Sequence, residues 1–221
     1  MKNYQYILFD LDGTLTDSGP GIVNSVAYSL EKKQIPVEDK ARLYKFVGPP
    51  LVESYMKEYG FSKEGAAQMV DIYREYYGAK GVFENAVYEG IEELLKKLNE
   101  AGKNLIIATS KPEPYARLIM KHFGLDKYFT YIAGSNMDET RTKKAEVIRY
   151  ALKSCGITEL EKAVMVGDRE HDVIGAKEVG LSCIGVLYGY GDRKELEDAG
   201  ADWILETVED LCHFQILDLE Q

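Results

Sequence analysis

Short apolar runs rich in β-branched residues recur along this chain, and from residue 91 onward they alternate with amphipathic stretches. The runs fall at 6–9, 104–108, 131–133, 163–166, 183–186 and 203–205. The amphipathic stretches fall at 91–101, 113–123, 144–155, 172–179 and from Val208 onward. Strands joined through helices run in the same direction, so this order predicts an α/β fold: a Rossmann-like parallel sheet flanked by helices. Such sheets bind ligands beyond the carboxyl ends of their strands. The residues at which each apolar run stops therefore carry the chemistry.

One stretch breaks the rhythm. Between residues 17 and 82 the pattern offers helices at 20–33, 37–46, 51–59 and 64–77 with no clear strand, punctuated by Ile35-Pro36, Gly48-Pro49-Pro50, Gly60 and Gly78. A helical insertion after the first strand predicts a small all-helical cap domain at 17–82, with 1–16 and 83–221 forming the α/β core. The cap contains Tyr44, Tyr55, Tyr59, Tyr73, Tyr76 and Tyr77 at mostly helical spacing, which reads first as its own core.

The first apolar run ends in Asp10-Leu11-Asp12-Gly13-Thr14. Alternate residues of an extended chain point the same way, so both carboxylates can face one small volume, and like charges held that close call for a cation or a shared proton. A calcium loop is excluded, because Leu15 stands at the position of its glycine and Gly21 at that of its closing glutamate. The run at 104–108 ends in Thr109-Ser110-Lys111-Pro112, hydroxyls before a helix that suit a phosphate or simply cap it. Arg141-Thr142-Lys143-Lys144 opens another helix at its cation-averse end, as a loop in solvent or as lysines held by an anion. The run at 163–166 ends in Gly167-Asp168, with Asp172 four residues on, placed to cap a helix, to share a site with Asp168, or both. His171 reads as a loop histidine in solvent. Together the four segments supply carboxylates for a hard cation, hydroxyls and amides for phosphate oxygens, and a lysine for their charge. Mg2+ suits such a set, and a carboxylate beside it can attack phosphorus.

Composition narrows the partners. Acidic residues outnumber basic ones, 37 to 27, for a net charge of -10, which disfavours a nucleic-acid polymer or an anionic membrane surface. Three scattered cysteines give no disulfide framework, and no apolar run approaches the roughly 20 residues of a membrane span, so the expected location is the cytoplasm.

Asp10-Leu11-Asp12-Gly13-Thr14-Leu15, Thr109-Ser110-Lys111, Lys144 and Gly167-Asp168-x-x-x-Asp172, in this order, resemble the haloacid dehalogenase-like hydrolases across the whole chain. Within them the chain looks like the phosphoglycolate-phosphatase type with a helical cap, a type that 5′-nucleotidases resemble closely. The resemblance implies a Mg2+-dependent phosphatase of small phosphate monoesters with an aspartyl-phosphate intermediate. It implies Asp10 as nucleophile and metal ligand, and Asp12 as general acid/base with its backbone carbonyl on the metal. Gly13, Thr109, Ser110 and a lysine would bind the phosphoryl group, Asp168 the metal, and Asp172 would support the metal shell. Many members show Lys-Pro at the lysine; this chain has Lys143-Lys144-Ala145, and either lysine could serve, with Lys144 nearer the helix start. Gly48, Pro49 and Pro50 lie where the family places a cap loop that selects substrate. A nucleoside monophosphate is the alternative substrate and a sugar-phosphate mutase the remoter alternative. The expected partner is a small phosphorylated metabolite, and the expected state a monomer or weak homodimer.

Overall fold

The computed structural model describes residues 4–138 and 140–214. Contacts divide the chain into two units, Met1–Thr16 with Val87–Gln221, and Asp17–Ala86. The chain leaves the first unit through β2 (Thr16–Asp17) and returns through β3 (Ala86–Val87). The return falls later than the expected residue 83, because the segment Gly81–Phe83 forms a 3-10 turn that packs with the first helix of the insertion.

The larger unit is a six-stranded parallel sheet. Its strands are β1 (Tyr6–Phe9), β4 (Asn104–Pro112), β5 (Tyr131–Ser135), β6 (Ala163–Gly167), β7 (Ser182–Val186) and β8 (Trp203–Leu205). Their order across the sheet is β5-β4-β1-β6-β7-β8. β1 lies in the middle, with Leu8 beside Ile106 of β4 and Met165 of β6. Both faces are covered, so the strands read as unbroken apolar runs rather than alternating ones. Leu8, Ile106, Ala108 and Met165 pack with Val147, Ile148 and Ala151 of α6 (Lys144–Ser154) and with Val173 and Ala176 of α7 (Glu170–Val179). Ile7, Phe9, Leu105 and Ile107 alternate with them and are equally buried on the opposite face. There α4 (Ile91–Glu100) presents Ile91, Leu94, Leu95 and Leu98 as one buried stripe, and α5 (Glu113–His122) presents Ala116, Ile119 and Met120. Each of the Val, Leu, Ile, Phe and Met side chains contributes about 1.5–3 kcal/mol on burial.

Three features differ from the sequence reading. β4 continues to Pro112, past the expected 108, with its register against β5 shifting between Ala108 and Pro112. Gly134 of β5 permits this, since a Cβ there would lie 2.6 Å from the Lys111 carbonyl oxygen and from the Glu113 nitrogen. α7 starts at Glu170 rather than Asp172, because Asp172 Oδ2 accepts from the Arg169 amide (3.1 Å) and so caps the helix from inside its first turn. A further helix, α8 (Arg193–Ala199), was unforeseen: Leu196 is its one buried residue, so no apolar stripe marks it, and its start is fixed by Asp192 Oδ1 accepting from the Glu195 amide (2.8 Å). The last described helix is α9 (Val208–Cys212).

The smaller unit is helical: α1 (Gly19–Lys32), a 3-10 segment (Lys40–Phe46), α2 (Leu51–Tyr59) and α3 (Lys63–Ala79). Gly78, expected as a stop, lies within α3, since the helix continues until Lys80. Tyr55, Tyr73 and Tyr77 are buried in this unit, and the Tyr55 hydroxyl shares a 2.6 Å hydrogen bond with Ser29. Tyr44 is exposed. Gly48 adopts a left-handed φ of 104° in the loop it forms with Pro49 and Pro50 before α2. Among the described residues no helix is long and apolar enough to cross a membrane.

Candidate active site

The parallel order β4-β1-β6 brings three strand ends together. Asp10 and Asp12 follow β1, Thr109 and Lys111 lie in the last turn of chain of β4, and Asp168 follows β6. Lys144 and Asp172 come from the first turns of α6 and α7. All of these side chains are buried, while Ser110 is half-buried.

One carboxylate oxygen from each of Asp10, Asp168 and Asp172 lies within 4.8 Å of the others. Lys144 Nζ stands 2.8 Å from Asp10 Oδ1 and 2.6 Å from Asp172 Oδ1, and donates to the Ala108 carbonyl oxygen at 3.1 Å. Both carboxylate contacts are close, buried ion pairs. Lys143 is exposed. Lys143 stands just before α6 in extended conformation, while Lys144, the first residue of the helix, is buried and donates to the Ala108 carbonyl of β4.

Asp168 is held on both oxygens. The Thr14 hydroxyl donates to Oδ1 (3.2 Å) and the Tyr190 amide to Oδ2 (2.8 Å). Gly13 makes the close approach possible: its φ is +80°, and a Cβ there would lie 2.2 Å from Asp168 Oδ2. Its amide donates to the Thr16 carbonyl oxygen (2.8 Å) and is thus spent on the turn. Gly13 is thus the turn that admits Asp168. The sequence reading overlooked the loop after β7. Tyr190 is flanked by Gly189 and Gly191, whose added Cβ atoms would lie 2.3 Å from the Gly13 carbonyl oxygen and 2.0 Å from that of Asp168. Tyr188 donates its hydroxyl to the Thr14 carbonyl oxygen (3.1 Å). The signal was a Gly-x-Gly directly after an apolar run.

Asp12 stands apart from the trio. Its Oδ2 is 2.7 Å from Lys111 Nζ, and its carboxylate is not part of the three-oxygen group. Thr109 Oγ1 accepts from the Lys111 amide (3.2 Å). His171 is half-buried near the start of α7, and burial holds its imidazole below the usual pKa.

Electrostatically the trio is short of positive charge. Burial raises Asp168 well above the ordinary carboxylate range, with the charges of Asp172 and Asp10 adding to it. Burial also pushes Asp172 up to about 6, against the pull of Lys144. For Lys144 burial acts downward, yet Asp10 and Asp172 outweigh it and hold the ammonium above its ordinary pKa. Three grouped, buried carboxylates with one ammonium against two of them fit a divalent cation bound through oxygen.

The chain belongs to the haloacid dehalogenase-like hydrolases, whose family pattern matches residues 7–186. Within that family it is a phosphatase-type member. It is 48% identical over 193 residues to a 5′-nucleotidase of Pseudomonas aeruginosa, covering 87% of each chain. It is 42% identical over 187 residues to the tyrosine-protein kinase PtkA of Mycobacterium tuberculosis, covering 85% of this chain but only 63% of that protein. A crystal structure of a predicted phosphatase from Clostridium acetobutylicum superposes with a TM-score of 0.95 at 51% identity, covering 98% of this chain and 99% of that one.

Proposed function

We propose that the chain is a Mg2+-dependent phosphatase that hydrolyses small phosphate monoesters through an aspartyl phosphate on Asp10. The observation that carries this reading is the trio of buried carboxylates, two of them against the Lys144 ammonium, beyond the carboxyl ends of the central strands. Asp10, Asp168 and Asp172 would hold Mg2+, which when bound draws charge from the non-bridging phosphoryl oxygens. Asp12 contributes through its carboxylate as acid and then base, and the resemblance adds its backbone carbonyl to the metal ligands.

The chain's own groups divide the work. Asp10 attacks phosphorus in line, with Lys144 beside it to stabilise charge on the phosphoryl oxygens. Thr109 and the Ser110 amide orient the phosphoryl group. Asp12 gives a proton to the leaving oxygen and then takes one from the water that hydrolyses the aspartyl phosphate, as microscopic reversibility requires. Phosphoglycolate is the first substrate to try on the motif resemblance, and nucleoside monophosphates the second, favoured by the 48% identical 5′-nucleotidase. The setting is a cytoplasmic monomer or weak homodimer acting on a phosphorylated metabolite.

The test is inorganic phosphate release, with and without Mg2+, from phosphoglycolate, nucleoside monophosphates, sugar phosphates and p-nitrophenyl phosphate. Mg2+-dependent release into water is expected and separates a hydrolase from a kinase. No release from any ester with any divalent metal would remove the reading.

A second prediction concerns metal and pH. A carboxyl whose pKa is raised on folding stabilises the fold below its unfolded pKa and loses that contribution as pH rises through the folded value. For Asp172 that window runs from the ordinary 3.8 to about 6, and Asp168 shifts in the same direction. These groups therefore make the metal-free protein less stable at about pH 7.5 than at about pH 5, while Mg2+ binds only the ionised trio. Millimolar Mg2+ is expected to raise the melting temperature by several degrees more at the higher pH. Equal increments in thermal melts at both pH values would contradict the assignment of the trio to the metal.

A further inference from the structure

Lys111 has no part in the chemistry set out above, yet its ammonium lies at the reacting end of the site. Its side chain is 4% exposed and that of Asp12 10%, and Lys111 Nζ lies 2.7 Å from Asp12 Oδ2. The other carboxylate oxygen, Asp12 Oδ1, is buried and has no hydrogen-bond partner among the described residues. The backbone around the lysine is specialised to turn it inward. β4 shifts register here, the Lys111 amide donates to Thr109 Oγ1, and the bare Gly134 lets the Lys111 carbonyl pass close to β5.

We propose that Lys111 is a positioning residue for Asp12: it pins Oδ2 so that Oδ1 alone faces the ester oxygen and carries the proton. The inference rests on the phosphatase reading, with Asp12 as its acid. A carboxylate can turn about its terminal torsion and exchange its two oxygens. A buried, charge-assisted contact to one of them stops that exchange. In the step served, an Asp10 carboxylate oxygen bonds to phosphorus and the bond from phosphorus to the ester oxygen breaks. Its electron pair stays on the ester oxygen, which takes the proton from Asp12 Oδ1 and departs as an alcohol. Lys144 serves the other half of the site, against Asp10 and Asp172, so Lys111 and Lys144 have separate tasks.

The consequence is a dependence on the leaving group. An alkyl leaving group needs the proton, whereas p-nitrophenolate leaves almost unaided. General acid catalysis is worth roughly 100- to 10,000-fold. In Lys111→Met, kcat/KM for an alkyl phosphate is expected to fall at least about 100-fold and that for p-nitrophenyl phosphate less than about fivefold. Lys111→Arg, which keeps the charge, should recover at least about tenfold of the alkyl loss. Asp12→Ala should show the same bias. Because the readout is a ratio of two substrates in one protein sample, partial misfolding cancels, and Lys111→Gln replaces the methionine variant if that does not fold. Equal losses on both substrates in an active enzyme would overturn the positioning role and leave the phosphatase reading intact. No phosphate release by the wild type from either ester would overturn both.

Discussion

Asp10→Asn is expected to abolish turnover, lowering phosphate release by at least about four orders of magnitude and removing any acid-stable phosphoenzyme. The amide keeps the size of the side chain but cannot form the acyl phosphate, and water has no other activated route to phosphorus in this reading. The same change should not cost stability in the metal-free protein. Asp10 is one of three carboxylates grouped within 4.8 Å, and its removal relieves repulsion while Lys144 keeps Asp172 at 2.6 Å. The expected pair of results is therefore a dead enzyme whose melting temperature in EDTA is equal to or above that of the wild type. Retained turnover in Asp10→Asn, measured by phosphate release, would end the covalent mechanism.

Lys144→Met should damage both the fold and the chemistry. The ammonium is 3% exposed at its side chain and lies against Asp10 and Asp172. Without it two buried carboxylates and the Ala108 carbonyl lose their partner. Breaking a buried pair of this kind costs about 3–5 kcal/mol, which for a chain of this size corresponds to a fall in melting temperature of roughly 6–20 °C in EDTA. Saturating Mg2+ should recover part of that loss, because it supplies positive charge to the same carboxylates. Turnover should fall by about 100- to 1,000-fold, the usual effect of removing one electrostatic donor from a reacting group. Lys143→Met is the control. It removes an exposed lysine one residue away and should melt and turn over like the wild type. Equal effects of the two substitutions would contradict the assignment of Lys144 to the site.

Much of this site was legible in the sequence. Asp10, Asp12, Thr109 and Asp168 all stand where an apolar run stops, and in a parallel sheet those ends share one edge. Asp172 was legible as a helix cap, a neighbour of Asp168, or both, and the fold places it as both: Oδ2 accepts from the Arg169 amide, and the carboxylate groups with those of Asp168 and Asp10. Other parts were not legible. The loop through Gly189, Tyr190 and Gly191 meets Gly13 and Asp168 from far along the chain, and nothing local in a Gly-Tyr-Gly segment says which backbone it must approach. α8 escaped notice because a helix with one buried side chain has no periodic stripe to detect.

The sequence by itself determined the class of fold, the carboxylates and the four segments that meet at the candidate site, because apolar periodicity and residue type at strand ends are local properties. Only the tertiary structure decided which lysine serves which aspartate. That choice depends on where α6 begins, with Lys144 buried as its first residue and Lys143 exposed just before it. It depends equally on the irregular end of β4, which sends Lys111 to Asp12 across a sequence separation that no local pattern records. Side-chain direction is set by packing against the whole sheet, so the pairing of charges is a property of the folded chain.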